Sequence, residues 1–494
     1  MTRVAALVTA ALAFGSATVS AQSLGKRIDA RLDAAPYDKS LWGVALADEQ
    51  GKLTYDRMAH RLFMPASNTK LVVAAVASAM LPADFTVRTS AYAAGPLHDG
   101  VLEGDLVLYG RGDPTFGVRC FAVDTTAAGV CDRDARAPFD TLAARLQRAG
   151  VRTVNGAIVG DGSWFERELV HPSWESYDLN WWYAAPVSGL GVNDNSVDFR
   201  ALPGDSVGAP AHVTWSPSFA DITVENRTRT VPADKTSTID YTRPPGTRTV
   251  LVEGDLTTTS RPGVESFALP DPNHFAAAAL REALTARGIA VLGATSSTID
   301  STRYAAARRA APLAEMEGRP LRDWIFPILN TSQNWYAEML LKQLGRQFGG
   351  AGSWKAGVDV ERRFLIDSVG IDSTQFALSD GSGLAANNLV SPASFVQLLR
   401  FIRGHRGWET FAAGLPRSGD TGSLRTRFVG TPIEGRVRAK TGSISRTNTL
   451  SGYVDLPDGR FLTFSVMANH HVQPSRPTLA RIDSVVVEFA RQPR

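Results

Sequence analysis

Three short strings of this sequence contain residue types that can activate a serine hydroxyl without a histidine. They are Ser67-Asn68-Thr69-Lys70, Ser332-Gln333-Asn334 and Lys440-Thr441-Gly442. A serine hydroxyl is a poor nucleophile at neutral pH, so it needs a base beside it, and the oxyanion that forms needs cationic or backbone donors. The order S-x-x-K, S-x-N and K-T-G therefore predicts nucleophilic catalysis by a serine.

Each residue type suits one step of such a reaction. We predict that Ser67 is the nucleophile and Lys70 the base, because a lysine enclosed beside a second cation loses basicity. Ser332 is expected to relay a proton between Lys70 and the leaving nitrogen. Asn334 can either donate its amide to the substrate carbonyl or orient Lys70. Lys440 supplies positive charge for a terminal carboxylate of the substrate.

The third string is also expected to bind the substrate. Thr441 can donate a hydrogen bond to the same carboxylate, and Gly442 leaves room for the substrate backbone to approach a strand. The backbone N–H groups of Ser67 and Ser443 would form the oxyanion hole.

The elements that must position these strings can be inferred from the residues around them. Apolar residues follow Ser67 through Leu81, so we expect a helix that begins near Asn68, with Ser67 and Lys70 on one face. A second S-x-x-K, from Ser23 to Lys26, opens no such apolar run. Other predicted elements are a hairpin of 41–46 with 53–55, a helix over 334–348, a strand over 435–440, a hairpin of 450–454 with 461–467, and a last helix over 479–489.

The stretch from about 88 to 308 differs in character from its flanks. It is rich in Val, Thr, Gly, Asp and Pro, which predicts mostly β structure, with helices near 139–149 and 274–287. Because it separates Ser67 from Ser332, it must be an insertion that returns the chain close to where it left.

Composition excludes several classes of function. The 494 residues have a formal net charge of +3, without a basic run, so nucleic acid is not an expected partner. No histidine lies in a G-x-S-x-G or H-E-x-x-H setting, and we expect neither a metal nor another cofactor.

The N-terminus predicts export. Arg3, an apolar run from Val4 to Phe14 and the small residues Val19-Ser20-Ala21 form the pattern of a signal peptide over residues 1–21. The run is too short to cross a bilayer. We therefore expect a periplasmic or otherwise extracytoplasmic protein without a transmembrane anchor. The apolar stripe of the last helix is expected to pack on the sheet; loose membrane association is the alternative.

With these residues in view, the chain resembles the DacB-type D-alanyl-D-alanine carboxypeptidase/endopeptidase family, the class C low-molecular-mass penicillin-binding proteins. The resemblance covers nearly the whole mature chain and includes Gly112–Phe116, Pro186–Ser188, Asp380–Leu384 and Thr421–Leu424. It implies an α+β fold. A β-lactamase/transpeptidase-like domain (22–87 and 309–494) would carry two nested, mostly β domains within 88–308.

The same resemblance implies a function. The expected activity is hydrolysis of D-alanyl peptide bonds in peptidoglycan stem peptides through an acyl-enzyme, with β-lactams as covalent inhibitors. A β-lactamase and a non-catalytic penicillin-binding scaffold are the alternatives. The deacylating glutamate motif of class A β-lactamases is not visible between Ser67 and Ser332, and the complete serine and lysine set argues against a scaffold.

Two positions need separate comment within this resemblance. The family often has Asp in the middle of S-x-N, where this chain has Gln333; related motifs tolerate variation there. Asp161 resembles the position that contacts the free amine of the stem peptide. An exposed turn aspartate is the alternative for that residue.

Cys120 and Cys131 are the only cysteines, and in an oxidising compartment we predict that they form a disulfide. Closing so short a loop stabilises the fold by about 3 kcal/mol in the chain-entropy description. Thiol titration of the unfolded, unreduced protein should therefore find no free thiol, whereas two titratable thiols would contradict the bridge.

Overall fold

The computed structural model describes residues 23–117, 135–218, 222–244, 246–261 and 263–491. The predicted signal peptide and both cysteines lie outside these ranges. Helices and strands are numbered in chain order. The α-helices of the described ranges are α1 (Leu24–Leu32), α2 (Lys70–Met80), α3 (Ala137–Arg148), α4 (Pro272–Ala286), α5 (Leu321–Leu329), α6 (Asn334–Phe348), α7 (Trp354–Phe364), α8 (Pro392–Arg403), α9 (Trp408–Gly414) and α10 (Ser475–Phe489).

An antiparallel five-stranded sheet forms the frame on which the catalytic strings lie. Its strands, in spatial order, are β2 (Leu53–Arg57), β1 (Leu41–Ala47), β22 (Phe461–Asn469), β21 (Thr447–Asp455) and β20 (Val437–Ile444). The predicted hairpins correspond to β1–β2 and β21–β22. The sheet therefore takes strands from both sides of the segment 88–308.

Both faces of this sheet are covered. Alternate residues of β1 point to opposite sides: Val44 and Leu46 join a cluster with α1 and α10, whereas Ala45 and Ala47 pack beside α8. The apolar stripe of α10 is thus buried on the sheet, as expected. None of the helices in the described ranges has the length and hydrophobicity that crossing a membrane requires.

Helix α2 is buried on all sides. Every residue from Lys70 to Ala79 is inaccessible or nearly so, because α5, α6, α8 and α9 surround the helix. A helix that is apolar around its whole circumference belongs in a core. Lys70 is its first residue, so its amine is held in a water-poor environment.

The inserted region begins with two mixed sheets. The larger one has the order β16 (Thr295–Thr298), β8 (Ile158–Asp161), β6 (Asp105–Tyr109), β3 (Arg88–Ala94) and β17 (Ala314–Glu317). The smaller one has the order β15 (Ala290–Val291), β7 (Thr153–Val154), β5 (Val101–Leu102) and β4 (Leu97–His98). Since β17 pairs with β3, the sheet of the insertion extends to Glu317.

Two three-stranded sheets are nested between β8 and β16. They have the orders β10 (His212–Ser216), β9 (Ser196–Leu202), β14 (Val264–Ala268) and β11 (Thr223–Val231), β13 (Thr249–Thr257), β12 (Asp240–Thr242). A two-stranded ribbon pairs β18 (Phe376–Ala377) with β19 (Leu389–Val390), and Val390 forms a bridge with Phe63. The architecture is the expected α+β arrangement, with a mostly β insertion that contains the predicted helices α3 and α4.

Candidate active site

Ser67 and Lys70 meet at the start of α2. Residues Ala66–Thr69 form a 3-10 turn that leads into the α-helix. This turn brings Lys70 Nζ to 2.9 Å from Ser67 Oγ. Ser67 is half-buried and Lys70 has no exposed surface. The hydroxyl can thus meet a substrate, while its neighbouring amine is shielded from bulk water.

The Lys70 amine has a full set of acceptors. Besides Ser67, it donates to Asn334 Oδ1 at 2.7 Å and to the Ser382 carbonyl at 2.8 Å. Burial lowers the pKa of Lys70 to about 7, against the opposing influence of Glu338 and Asp380. An amine that loses its proton near neutral pH is suited to act as a general base.

Asn334 accepts a hydrogen bond from Lys70. Its Oδ1 accepts from Lys70, and its Nδ2 donates to the Tyr183 carbonyl at 2.8 Å. The oxygen is therefore occupied by Lys70, and one of the two Nδ2 hydrogens is used. Of the two roles considered for Asn334, this arrangement supports the one that orients Lys70.

Ser332 links the site to the second lysine. Lys440 Nζ donates to Ser332 Oγ and to the Thr441 carbonyl, both at 2.8 Å. Lys440 has no exposed surface, and burial, with the like charge of Lys70, holds its pKa well below the usual range. Its two acceptors are neutral, so an anionic ligand would restore its charge.

Strand β20 passes directly beside the nucleophile. A Cβ on Gly442 would lie 2.7 Å from the Pro65 carbonyl and 3.1 Å from the Ser67 amide nitrogen. Glycine is therefore needed here to bring the strand close to Ser67. Thr441 Oγ1 donates to Ser423 Oγ at 3.1 Å, and Ser443 is exposed.

Glu338, which the sequence analysis did not single out, fixes the loop that holds Lys70. Its carboxylate has no exposed surface and accepts from the amides of Gly381 and Ser382 at 3.1 and 2.7 Å. It also accepts from the indole of Trp354 at 2.7 Å. Burial raises the pKa of Glu338 to about 7. A carboxylate four residues after Asn334, on the same helix face, was the available signal.

The inserted region holds the second string through three consecutive side chains. Gln333 Nε2 donates to Asp194 Oδ2 at 2.6 Å, and Trp335 Nε1 donates to the Pro186 carbonyl at 3.0 Å. Asn334, between them, donates to Tyr183. Asp194 lies in a turn of left-handed backbone, with φ of 54°. The insertion thus fixes the start of α6 and with it Ser332, whose φ is 66°.

A cleft of about 420 Å³ opens over Ser67. The inserted region contributes Glu175, Asp178 and Tyr183 to its wall, and Tyr183 Oη donates to Asp178 Oδ1 at 2.9 Å. The remaining lining residues are Met64, Ser67, Asn334, Gly383, Leu384, Ala386, Ser443, Ile444 and Ser445. Within the described ranges, no group of His, Cys, Asp or Glu side chains is arranged to hold a metal ion.

Asp161 lies at the end of β8 and is absent from the lining of this cleft. It has no exposed surface, forms an ion pair with Arg308, and accepts from the Ser163 amide at 2.9 Å. The Arg308 guanidinium in turn lies over the ring of Tyr109. The position of Asp161 therefore gives no support to the expected contact with a substrate amine.

The Gln333 contact leads to a testable prediction. Gln333→Ala should slow the acylation of Ser67 by about tenfold or more, because Ser332 and Asn334 lose their fixed positions. A rise of about 1.4 kcal/mol in the activation free energy is enough for a tenfold effect. The measurement is the second-order rate constant with a fluorescent penicillin.

Gln343→Ala provides a matched control. Gln343 is also buried on α6 and also bonds to the insertion, accepting from Trp164 Nε1 at 3.0 Å, but it lies far from Ser332 along the helix. Loss of a buried hydrogen bond should destabilise both variants by about 1–3 kcal/mol. Equal acylation rates in the two variants would contradict the positioning role of Gln333.

The pKa of Lys70 leads to a second prediction. Because only the neutral amine can accept the proton of Ser67, the acylation rate should rise with pH up to about 7 and then level off. In Glu338→Gln the negative charge that develops as Glu338 ionises near pH 7, and that favours the ammonium form of Lys70, is gone. The pKa of Lys70 then falls, and the rising limb should move to lower pH. A profile between pH 5 and 9 that is flat, or identical in both proteins, would refute this assignment.

The sequence matches known proteins over nearly its whole length. The family model described as the D-Ala-D-Ala carboxypeptidase 3 (S13) family matches residues 24–492. A D-alanyl-D-alanine carboxypeptidase of Actinomadura sp. strain R39 is 33% identical over 513 residues, covering 99% of this chain and 90% of that protein.

Solved structures show the same fold. Penicillin binding protein 4 (dacB) from Haemophilus influenzae superposes with a TM-score of 0.76 at 22% identity, covering 94% of this chain and 97% of that one. A second structure of that protein, complexed with a β-lactam, has a TM-score of 0.74 at 20% identity, with coverage of 94% and 99%. The predicted fold class and the predicted family are both confirmed. The chain belongs to the D-Ala-D-Ala carboxypeptidase 3 (S13) family.

Proposed function

We propose that this protein hydrolyses D-alanyl peptide bonds in peptidoglycan through an acyl-enzyme on Ser67. The observation that carries the proposal is the buried Lys70 amine, 2.9 Å from Ser67 Oγ and with a pKa lowered to about 7. Family membership and the carboxypeptidase activity named for the Actinomadura relative support the same reaction.

The proposed reaction has two halves. Ser67 Oγ attacks the carbonyl carbon of the penultimate D-alanine while its proton passes to Lys70, and the amides of Ser67 and Ser443 stabilise the oxyanion. The C–N bond then breaks as Ser332 relays that proton from Lys70 to the leaving nitrogen, so that Lys70 is neutral again. A water molecule then attacks the ester while Lys70 takes one of its protons; the bond to Ser67 Oγ breaks, the shortened peptide leaves, and Lys70 returns the proton to Ser67. β-Lactams acylate the same hydroxyl, and their ring-opened product remains bound as an ester.

The leaving group decides which activity results. When the leaving nitrogen belongs to a terminal D-alanine, the reaction is a carboxypeptidase activity. When it is the cross-linking amine of a neighbouring stem peptide, the reaction is an endopeptidase activity. We assign Lys440, whose two acceptors are neutral, and Thr441 to the carboxylate of the residue beyond the scissile bond, which would favour the ammonium form of Lys440.

We further propose that Glu175 and Asp178 attract the free amine on the third residue of the stem peptide. Both line the cleft, and Asp178 is positioned by the Tyr183 hydroxyl. For the mature chain we propose action outside the cytoplasm, because peptidoglycan lies there and residues 1–21 have the pattern of a signal peptide.

Ser67→Ala tests the proposed function directly. The variant should no longer hydrolyse purified muropeptides, as measured by mass spectrometry, and penicillin should no longer label it covalently. Its unfolding temperature should stay near that of the wild type. A stable penicilloyl adduct on Ser67→Ala would refute the assignment. Comparison of cross-linked with uncross-linked muropeptides measures the balance of the two activities.

Recognition of the amine can be tested with two carboxylates. Asp178→Asn should lower kcat/KM for a stem peptide with a free third-residue amine by about fivefold, since a partly solvated ion pair contributes about 1 kcal/mol. The same peptide with that amine acetylated should be unaffected. Asp161→Asn, the matched control, should leave the ratio of the kcat/KM values for these two peptides unchanged. If the ratio of kcat/KM for the free-amine peptide to kcat/KM for the acetylated peptide falls only in Asp161→Asn, then Asp161, and not Asp178, recognises the amine.

A further inference from the structure

A second pocket lies in the nested part of the insertion, outside the cleft of Ser67. Its volume is about 220 Å³, comparable with that of one N-acetylhexosamine. Strands β9, β12, β13 and β14 contribute to it, together with the segment that carries Trp181. No step of the proposed reaction uses this pocket.

The lining of the pocket combines aromatic rings with hydrogen-bonding side chains. An aromatic face packs well against the C–H face of a sugar ring, while carboxylates and hydroxyls bond to the sugar hydroxyls. Two carboxylates against one arginine, Arg261, disfavour an anionic ligand. The residues that supply this chemistry are Trp181, Tyr241, Ser237, Asp240, Ser260 and Glu265.

Trp181 is held in place from behind. Its ring stacks on Phe267 with a centroid separation of 5.0 Å and an angle of 20°. The guanidinium of Arg243 lies 5.9 Å from the centroid of Phe267, and it donates to the Ala268 carbonyl and to Asn180 Oδ1. A wall that is already rigid loses little side-chain entropy when a ligand binds.

The pocket and the catalytic cleft share one short segment of chain. Asp178 and Tyr183 line the cleft, and Trp181, between them in sequence, lines the pocket. Two residues of chain span at most about 7 Å, and the Tyr183 carbonyl is 2.8 Å from Asn334 Nδ2. An extended four-residue stem peptide spans at most about 14 Å. A stem peptide in the cleft therefore has the reach to place its sugar near Trp181.

We propose that the pocket of Trp181, Tyr241 and Glu265 binds an N-acetylated sugar of the glycan strand that carries the stem peptide. The identity of this sugar rests on the proposed function, because only a peptidoglycan substrate joins such a sugar to a D-alanyl peptide. The pocket itself does not depend on the reaction at Ser67.

Binding of chitotetraose, a neutral oligomer of N-acetylglucosamine without peptide, tests the pocket alone. Titration of the full chain, followed by tryptophan fluorescence and calorimetry, should show weak saturable binding. Glu265→Gln should weaken it by about fivefold, because a neutral amide accepts a hydrogen bond less strongly than a carboxylate does, and Trp181→Ala by more. Glu253→Gln, an exposed glutamate of β13 outside the pocket, should bind as the wild type does.

A kinetic comparison separates this proposal from the proposed function. The wild type should cleave a disaccharide-linked stem peptide with higher kcat/KM than the free peptide, and Glu265→Gln should reduce that advantage without changing the free-peptide rate or penicillin acylation. Saturable binding without any peptide hydrolysis would refute the function and keep the sugar site. Hydrolysis without chitotetraose binding, or binding unchanged in both pocket variants, would overturn the sugar site.

Discussion

The site depends on one buried amine that must be free to lose its proton. Lys70 begins a helix with no solvent-facing side, so water cannot stabilise its ammonium form. Ser67, Asn334 and Ser382 accept its three hydrogen bonds, and the last two are held in turn by Tyr183 and Glu338. A charged amine without these acceptors would be costly to bury. The surrounding structure can be understood as the set of contacts that keeps this amine aimed at the nucleophile.

The insertion takes part in this arrangement and is more than an attached domain. It accepts hydrogen bonds from Gln333, Asn334 and Trp335, which are the first turn of α6 and the residue before it. It also supplies the acidic wall of the cleft. A change in how the insertion packs would therefore alter both the catalytic geometry and the recognition of substrate.

Local spacing accounts for what could be predicted. Ser67 and Lys70 are one helical turn apart, and the periodic segments α2, α6 and α10 were each expected near their observed positions. Contacts between distant segments could not be inferred in the same way. Variation at Gln333 was expected to be tolerated. Its hydrogen-bond partner Asp194 lies 139 residues away, and no local pattern links the two. Glu338 lies one helical turn after Asn334, but this spacing alone does not reveal that its carboxylate is buried.

Asp161 and Asp178 show that local sequence does not reveal which carboxylate faces the cleft. Asp161 was selected because its string resembles a family position, but the strand register of β8 places its side chain against Arg308. Asp178 lies in an irregular 3-10 segment, Asp178–Asn180, without periodicity that would indicate which way it faces. Burial and orientation, rather than residue type, distinguish the two carboxylates.

Two lysines in one buried site also explain why the substrate should carry a carboxylate. The pKa of Lys440 is lowered partly by the charge of Lys70, so the two amines compete for protons, and they titrate as a pair. A carboxylate beside Lys440 favours its ammonium form. That charge in turn disfavours the ammonium form of Lys70 and leaves it neutral, as a base must be. Binding of the correct substrate then sets the protonation state that the attack by Ser67 requires, so recognition and activation depend on the same pair of charges.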